Sequence, residues 1–212
     1  MVKYLFRLFS LFPINFKIKI IRLLLKIKRV EVKIAQTPRE KEESYIIRWQ
    51  IYSQEGYIDP KDYPDRKLVD KYDVVAINFL AKKNGKILGT VRLIPYSSLG
   101  FPTLNAFNIT NFPAALEKTA EISKLCIKKE YRDKIITFGL LGEAFLYSIN
   151  KGIKYWIFGI PEKLKRHFEK VGIKIEKLPT KPPQSCHLKE RKTAEKYFLK
   201  HNIYPFITKL ET

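Results

Sequence analysis

Residues 74–94 read VVAINFLAKKNGKILGTVRLI, and this stretch decides the architecture. Two apolar runs, Val74–Ala81 and Ile87–Ile94, flank Lys82-Lys83-Asn84-Gly85-Lys86. Short apolar runs bounded by turn residues predict strands, and Asn-Gly between them predicts a hairpin, because both residues accept positive φ. Working upstream, Val30, Val32 and Ile34 alternate with Glu31 and Lys33, the pattern of a half-buried strand. Thr37-Pro38-Arg39-Glu40 then supplies an N-cap, a proline for the first helical position and a capping-box glutamate. The helix they open runs to about Ser53, with Tyr45, Trp49 and Tyr52 on one side, and residues 54–70 form an ordered loop.

Working downstream, a loop through Pro113 leads to a strand over Thr119–Ile127. A helix from about Ile135 to Lys151 follows, closed by Gly152. Tyr155–Ile160 reads as a strand, Pro161 opens another helix, and Gly172 ends it before a strand over Ile173–Ile175. The tail is expected to hold a strand near Ser185 and a helix over Arg191–His201. Strands and helices alternating in this order predict an α/β domain over 30–212, a mixed central sheet flanked by helices.

Composition narrows the chemistry. The 212 residues carry a formal charge of +20, which draws polyanions: nucleic acid, an anionic membrane leaflet or an acidic protein. Cys126 and Cys186 form no CxxC, and His167, His187 and His201 lie at no ligand spacing. A disulfide framework and a metal site are therefore not expected, and a reducing compartment is the default. No Cys/His finger, RNP-like motif or arginine-rich arm appears, so a nucleic-acid partner is not expected.

Residues 1–29 hold eight Lys or Arg and no acid. Their longest uncharged run, Leu8 to Phe16, has nine residues and includes Pro13. A bilayer span needs about 20. Ile14, Ile18, Ile21 and Leu25 recur at helical spacing, with Lys17, Arg22, Lys26 and Arg29 elsewhere on the wheel. Residues 1–29 are thus expected to be a basic amphipathic helix lying on an anionic membrane, its apolar side with Phe and Leu below the headgroups and Lys and Arg among them. The competing reading packs the helix on its own domain. The expected location is cytoplasmic, peripheral at the inner face of the cell membrane.

Several motifs now converge on one family resemblance. Arg48-Trp49-Gln50-Ile51-Tyr52 resembles the start of LuxI-type acyl-homoserine-lactone (autoinducer) synthases and the related long-chain N-acyl amino acid synthases. Asp70 and Asp73 resemble their paired aspartates, and Gly89-Thr90-Val91-Arg92-Leu93-Ile94 their second hairpin strand. Glu121-Ile122-Ser123-Lys124-Leu125 is similar to their Glu-x-Ser-Arg-Leu strand. The matching region runs from Arg48 to Ile175, about 60% of the chain. Lys124 stands where these families usually place arginine, keeping charge but losing the bidentate fork. No tryptophan matches the one autoinducer synthases carry near the position of Tyr57 and Ile58, which favours the N-acyl amino acid branch. Ornithine-lipid acyltransferases share a similar layout and remain an alternative.

The resemblance implies a GNAT-like (acyl-CoA N-acyltransferase) fold and transfer of a fatty acyl group to a small amine or amino acid. Glu121, with Ser123 and Lys124 on the same strand, is the candidate catalytic set, and Glu121 is the candidate general base. By resemblance, Arg48, Asp70, Asp73 and Arg92 form a charged network holding the active-site loop. Without the resemblance, Glu121 is a solvated strand residue and the four charges are surface ion pairs worth about 0–1 kcal/mol each. Acetyl-CoA-dependent relatives wrap a pyrophosphate with a glycine-rich turn; Tyr131–Gly139 has a single glycine. A phosphopantetheine-linked donor on an acidic acyl carrier protein fits better, with acyl-CoA the alternative and no permanently bound cofactor. Lys128, Lys129, Arg132 and Lys134 are the candidate docking residues for the carrier, or else a solvated basic loop. Phe138, Leu140, Leu141 and Phe145 are candidates for an acyl-chain tunnel, or else core.

Overall fold

The computed structural model describes residues 12–107, 109, 111–132, 134–169, 173–180 and 202–211. The hairpin forms as its sequence dictates. Strands β2 (Ile77–Lys83) and β3 (Lys86–Pro95) pair antiparallel around Asn84 and Gly85, whose φ values are 51° and 74°. Two successive positive φ angles are what a tight hairpin turn following the strand twist demands. Strand β1 (Glu31–Ile34) pairs antiparallel with β2, Glu31 opposite Lys82. Helix α2 (Pro38–Gln54) starts at the expected capping box: Thr37 Oγ1 accepts from Glu40 N–H at 3.2 Å, and Glu40 accepts from Thr37 N–H at 3.3 Å.

One boundary moves. Val74 was expected to begin β2, yet Lys71–Val74 is a 3-10 turn and Val74 is 81% exposed. Asp70 and Asp73 make the difference. Asp70 Oδ1 accepts from Tyr72 N–H at 3.0 Å and Asp73 Oδ2 accepts from Asp70 N–H at 2.9 Å, a reciprocal cap that winds the chain.

Among the described residues seven strands form one mixed sheet, in the order β1-β2-β3-β4-β5-β7-β6. They are completed by β4 (Thr119–Ile127), β5 (Tyr155–Pro161), β6 (Glu176–Lys177) and β7 (Ile203–Lys209). The chain clusters into two compact units, one of residues 15–94 and 122–150, the other of 1–14, 95–121 and 151–212.

The first unit holds the hairpin, α2, helix α1 (Ile14–Ile27) and helix α4 (Lys134–Asn150). Ile18, Ile21 and Leu25 of α1 are buried, and α4 meets them with glycines. A Cβ at Gly139 would lie 2.6 Å from Leu25 Cδ1, so any larger residue there would push the Leu25 side chain aside. Arg22 on α1 grips Glu143 on α4 through Nε–Oε1 at 2.6 Å and Nη2–Oε2 at 2.7 Å. The isoleucine stripe of the expected membrane helix is therefore spent on the domain itself, because burying it on α4 removes the same apolar area from water.

In the second unit β5 pairs with β7 antiparallel over its whole length, and Phe158 stacks on Phe168 and Phe206 at 5.5 and 6.5 Å. Helix α3 (Pro102–Phe107) falls within the expected loop, and helix α5 (Lys165–Glu169) follows a 3-10 turn that Pro161 caps. The strand expected over Ile173–Ile175 sits instead at Glu176–Lys177. Gly172, the strand near Ser185 and the helix over Arg191–His201 lie outside the described residues. No helix among the described residues is long and apolar enough to cross a membrane.

Candidate active site

The inward stripe of α2 is Ser44, Ile47, Arg48 and Ile51, a helical repeat with an arginine among apolar neighbours. Arg48 is 0% exposed and finds its partners within the same unit. Its Nη1 donates to Asp73 Oδ1 at 2.7 Å, and its Nη2 donates to Asn78 Oδ1 on β2. Arg92 on β3, 1% exposed, donates from Nη1 to Asp70 Oδ1 at 2.7 Å and to Asp73 Oδ2 at 3.1 Å. Its Nε donates to Ser123 Oγ on β4 at 3.1 Å. The structure thus brings Arg48, Asp70, Asp73 and Arg92 into one network, adding Asn78 and drawing in Ser123. Asp73 bridges the two arginines while capping its own turn. Burial excludes the surface ion-pair reading, since both guanidinium groups and the Asp73 carboxylate are out of water. Burial alone would raise the Asp70 carboxyl, but the charge and hydrogen bond of Arg92 outweigh it and hold the group low. Tyr45, whose ring lies 5.4 Å from the Arg48 guanidinium, has its hydroxyl pushed up by burial and by Asp73.

Strand β4 departs from regular geometry at Lys124, with φ of +52°. A non-glycine residue there costs on the order of 1 kcal/mol and persists only where its surroundings fix it. The ammonium sits 4.7 Å from the Tyr52 ring centroid. Its pKa is pulled down to about 8, first by burial, then by Arg92 and Arg48, with Asp70 opposing. An unfolded lysine titrates near 10.4, so the folded state carries the full cost of this charge below pH 8. That cost fades as pH rises from 8 toward 10.4. Lys124→Met is expected to remove this slope and raise the melting temperature at pH 7, by about 2–4 °C per kcal/mol relieved. Melting curves of both proteins at pH 7 and 9.5 check it; a gain equal at both pH values would exclude a titrating Lys124. Cys126, buried two residues on, has its thiol pushed up to about 11 by burial and is inert.

At the start of β4, in the second unit, Glu121 is 3% exposed, not solvated. Its Oε2 accepts from the backbone N–H of Thr103 on α3 at 2.8 Å. The pairing of β4 with β5 covers Thr119–Glu121 and ends at Glu121 opposite Ile157. Strand β5 goes on pairing with β7 to Pro161, and β4 itself continues to Ile127.

The basic segment after β4 is a 3-10 turn over Lys129–Tyr131. Lys129 and Arg132 line a hollow of about 240 Å³ with Lys28, Lys83, Leu88 and Ile136. Lys28 and Lys83 escaped the sequence reading because both are distant in the chain. Lys128 and Lys134 do not line the hollow. Arg132 also pairs with Glu55 and donates from Nε to Ile127 O at 3.4 Å. Phe138, Leu141 and Phe145 share one face of α4 by their spacing; Leu140 and Phe145 are buried and the other two half-buried. None lines that hollow. Among the described residues no group of three or more His, Cys, Asp and Glu is placed to hold a metal.

No curated protein matches the chain by sequence. Among solved structures it resembles the acyl-homoserine lactone synthase BjaI at 16% identity and TM-score 0.63, covering 86% of this chain and 83% of that one. It resembles FeeM, an N-acyl amino acid synthase from uncultured soil microbes, at 13% identity and TM-score 0.58, covering 86% and 90%. A GNAT-family acetyltransferase from Staphylococcus aureus Mu50 is similar at 17% identity and TM-score 0.51, covering 85% and 100%. These likenesses share the GNAT-like fold. The family model of the N-acyl amino acid synthase FeeM matches residues 43–180, which include the whole charged network and Glu121. The chain belongs to the N-acyl amino acid synthase FeeM family and is an acyltransferase that acylates an amine.

Proposed function

We propose that this acyltransferase moves a fatty acyl group from the phosphopantetheine thioester of an acidic acyl carrier protein to the amine of an amino acid. The amine nitrogen attacks the thioester carbonyl carbon while Glu121 takes its proton, directly or through water. The carbonyl oxygen becomes an oxyanion, for which the backbone N–H groups of β4 beyond Glu121 are the candidate donors. Collapse breaks the carbon–sulfur bond, and the proton taken from the amine passes to the departing thiolate. The products are an amide and a free phosphopantetheine thiol. The observation that carries the reading is the buried Glu121 carboxylate, whose Oε2 accepts from the Thr103 N–H, in a chain of this family. Lys124 supplies a cation for the acceptor carboxylate, and the network around Asp73 holds the 70–74 turn in place. BjaI is described as CoA-dependent with isopentyl-CoA bound, which supports a phosphopantetheine-linked donor of either kind.

The carrier is favoured over free CoA because Tyr131–Gly139 has a single glycine where a pyrophosphate cradle needs several, while Lys28, Lys83, Lys129 and Arg132, beside Glu130, gather at one hollow. Such a patch steers an acidic partner and acts mainly through encounter. The double charge reversal Lys83→Glu and Lys129→Glu is expected to raise KM for palmitoyl-carrier about tenfold with kcat nearly unchanged. The assay follows thiol release and product mass with palmitoyl-carrier or palmitoyl-CoA and a mixture of amino acids. A long-chain N-acyl amino acid formed from the carrier supports the proposal. Transfer from CoA alone would reassign the donor, and release of fatty acid without amide from both donors would overturn the reaction.

A further inference from the structure

Helix α1 has two apolar faces. The inner one, Ile18, Ile21 and Leu25, is buried on α4. Opposite it lie Phe16, Leu23 and Ile27, seven and four residues apart, which at 100° per residue fall within about 40° of one another. They are 46%, 59% and 69% exposed. Lys19 and Lys26 flank this stripe on one side, and residues 12–29 contain no acid. Arg22, Lys26 and Arg29 also line, together with Glu31 and Glu143, an open hollow of about 470 Å³ beside the helix.

Large aliphatic and aromatic side chains pointing outward beside a row of lysine form a layered surface. Apolar tips occupy one edge of the exposed face, and the ammonium groups of Lys19 and Lys26 sit beside them. We propose that this outer face of α1 docks on an anionic bilayer, with Phe16, Leu23 and Ile27 reaching the acyl boundary. Lys19 and Lys26 then lie among the lipid phosphates, while Arg22 stays paired with Glu143. Long lysine stems reach along apolar surface while their heads stay at the headgroups, which suits this arrangement. Charge selects the occupant. A second copy would set this basic flank against itself on a chain of +20, whereas an anionic leaflet neutralises it. The isoleucine stripe takes no part. This proposal is independent of the transferase mechanism, because it is read without substrate.

The test is flotation of the full-length protein with vesicles of phosphatidylcholine alone or mixed with phosphatidylglycerol. The protein is expected to float with the mixed vesicles and not with phosphatidylcholine. The variant L23N/I27N keeps every charge and is expected to lose about tenfold or more in vesicle affinity, with an unchanged melting temperature. Variant binding equal to the parent's would mean that charge alone attracts the protein, and the proposal fails. Absence of binding to the mixed vesicles overturns it too. So does a variant that floats normally but no longer binds an acidic carrier protein, since the face is then a protein dock.

Discussion

Replacing Arg48 with methionine is expected to destabilise the protein by about 3–5 kcal/mol, the cost of leaving buried polar partners without their cation. The side chain is fully buried and satisfies Asp73 and Asn78 together, so its loss strands a carboxylate oxygen and an amide oxygen out of water. Arg92 retains its own contact with Asp73 but cannot replace the second. Urea denaturation measures the effect as a lower midpoint at similar slope. Arg48→Lys is expected to lose most of the same stability, since one ammonium cannot serve both acceptors of the planar fork. Asp73→Asn made alongside Arg48→Met should cost much less than the sum of the two, because they share one interaction. A loss below about 1 kcal/mol for Arg48→Met would place the network among ordinary exposed ion pairs.

Glu121→Gln is expected to lower kcat for amide formation by about 10²–10⁴-fold, the usual contribution of a general base. The substitution separates chemistry from structure. A glutamine oxygen still accepts from Thr103 N–H, so the short helix α3 keeps its contact and the melting temperature should move little. Glu121→Leu removes that acceptor from a buried position and is expected to lose stability as well as turnover. Stopped assays with saturating donor give kcat, and melting curves report the fold. Near-normal turnover in the glutamine variant would remove Glu121 from the proton-transfer role.

Much of the fold was legible because local rules and tertiary structure agree. Asn84-Gly85 demanded a tight hairpin and Thr37-Pro38-Arg39-Glu40 a capped helix, and both formed. Where several elements compete for one face, the reading failed. The wheel of α1 carries apolar residues on opposite sides, and periodicity cannot say which side meets α4; the glycines at 139 and 142 decide it. Strand β7 (Ile203–Lys209) was not read in the sequence, yet it pairs along β5, Pro205 opposite Gly159. The family resemblance led to four members of the charged network. It did not reveal that Asn78 completes Arg48 or that Ser123 accepts from Arg92, since both depend on strand register. Nor did residue type announce the left-handed backbone at Lys124, which is a property of its neighbours. Thr103 escaped for a related reason: its contribution to Glu121 is a backbone amide, which no side chain advertises.

The most direct test of the central claim is mass spectrometry of lipid extracts from a bacterial host expressing the full-length protein beside its Glu121→Gln variant. The account predicts new long-chain N-acyl amino acids with the parent and their loss with the variant at equal protein level. No new amide-linked amphiphile from the parent, or the same amphiphiles from both proteins, would contradict it.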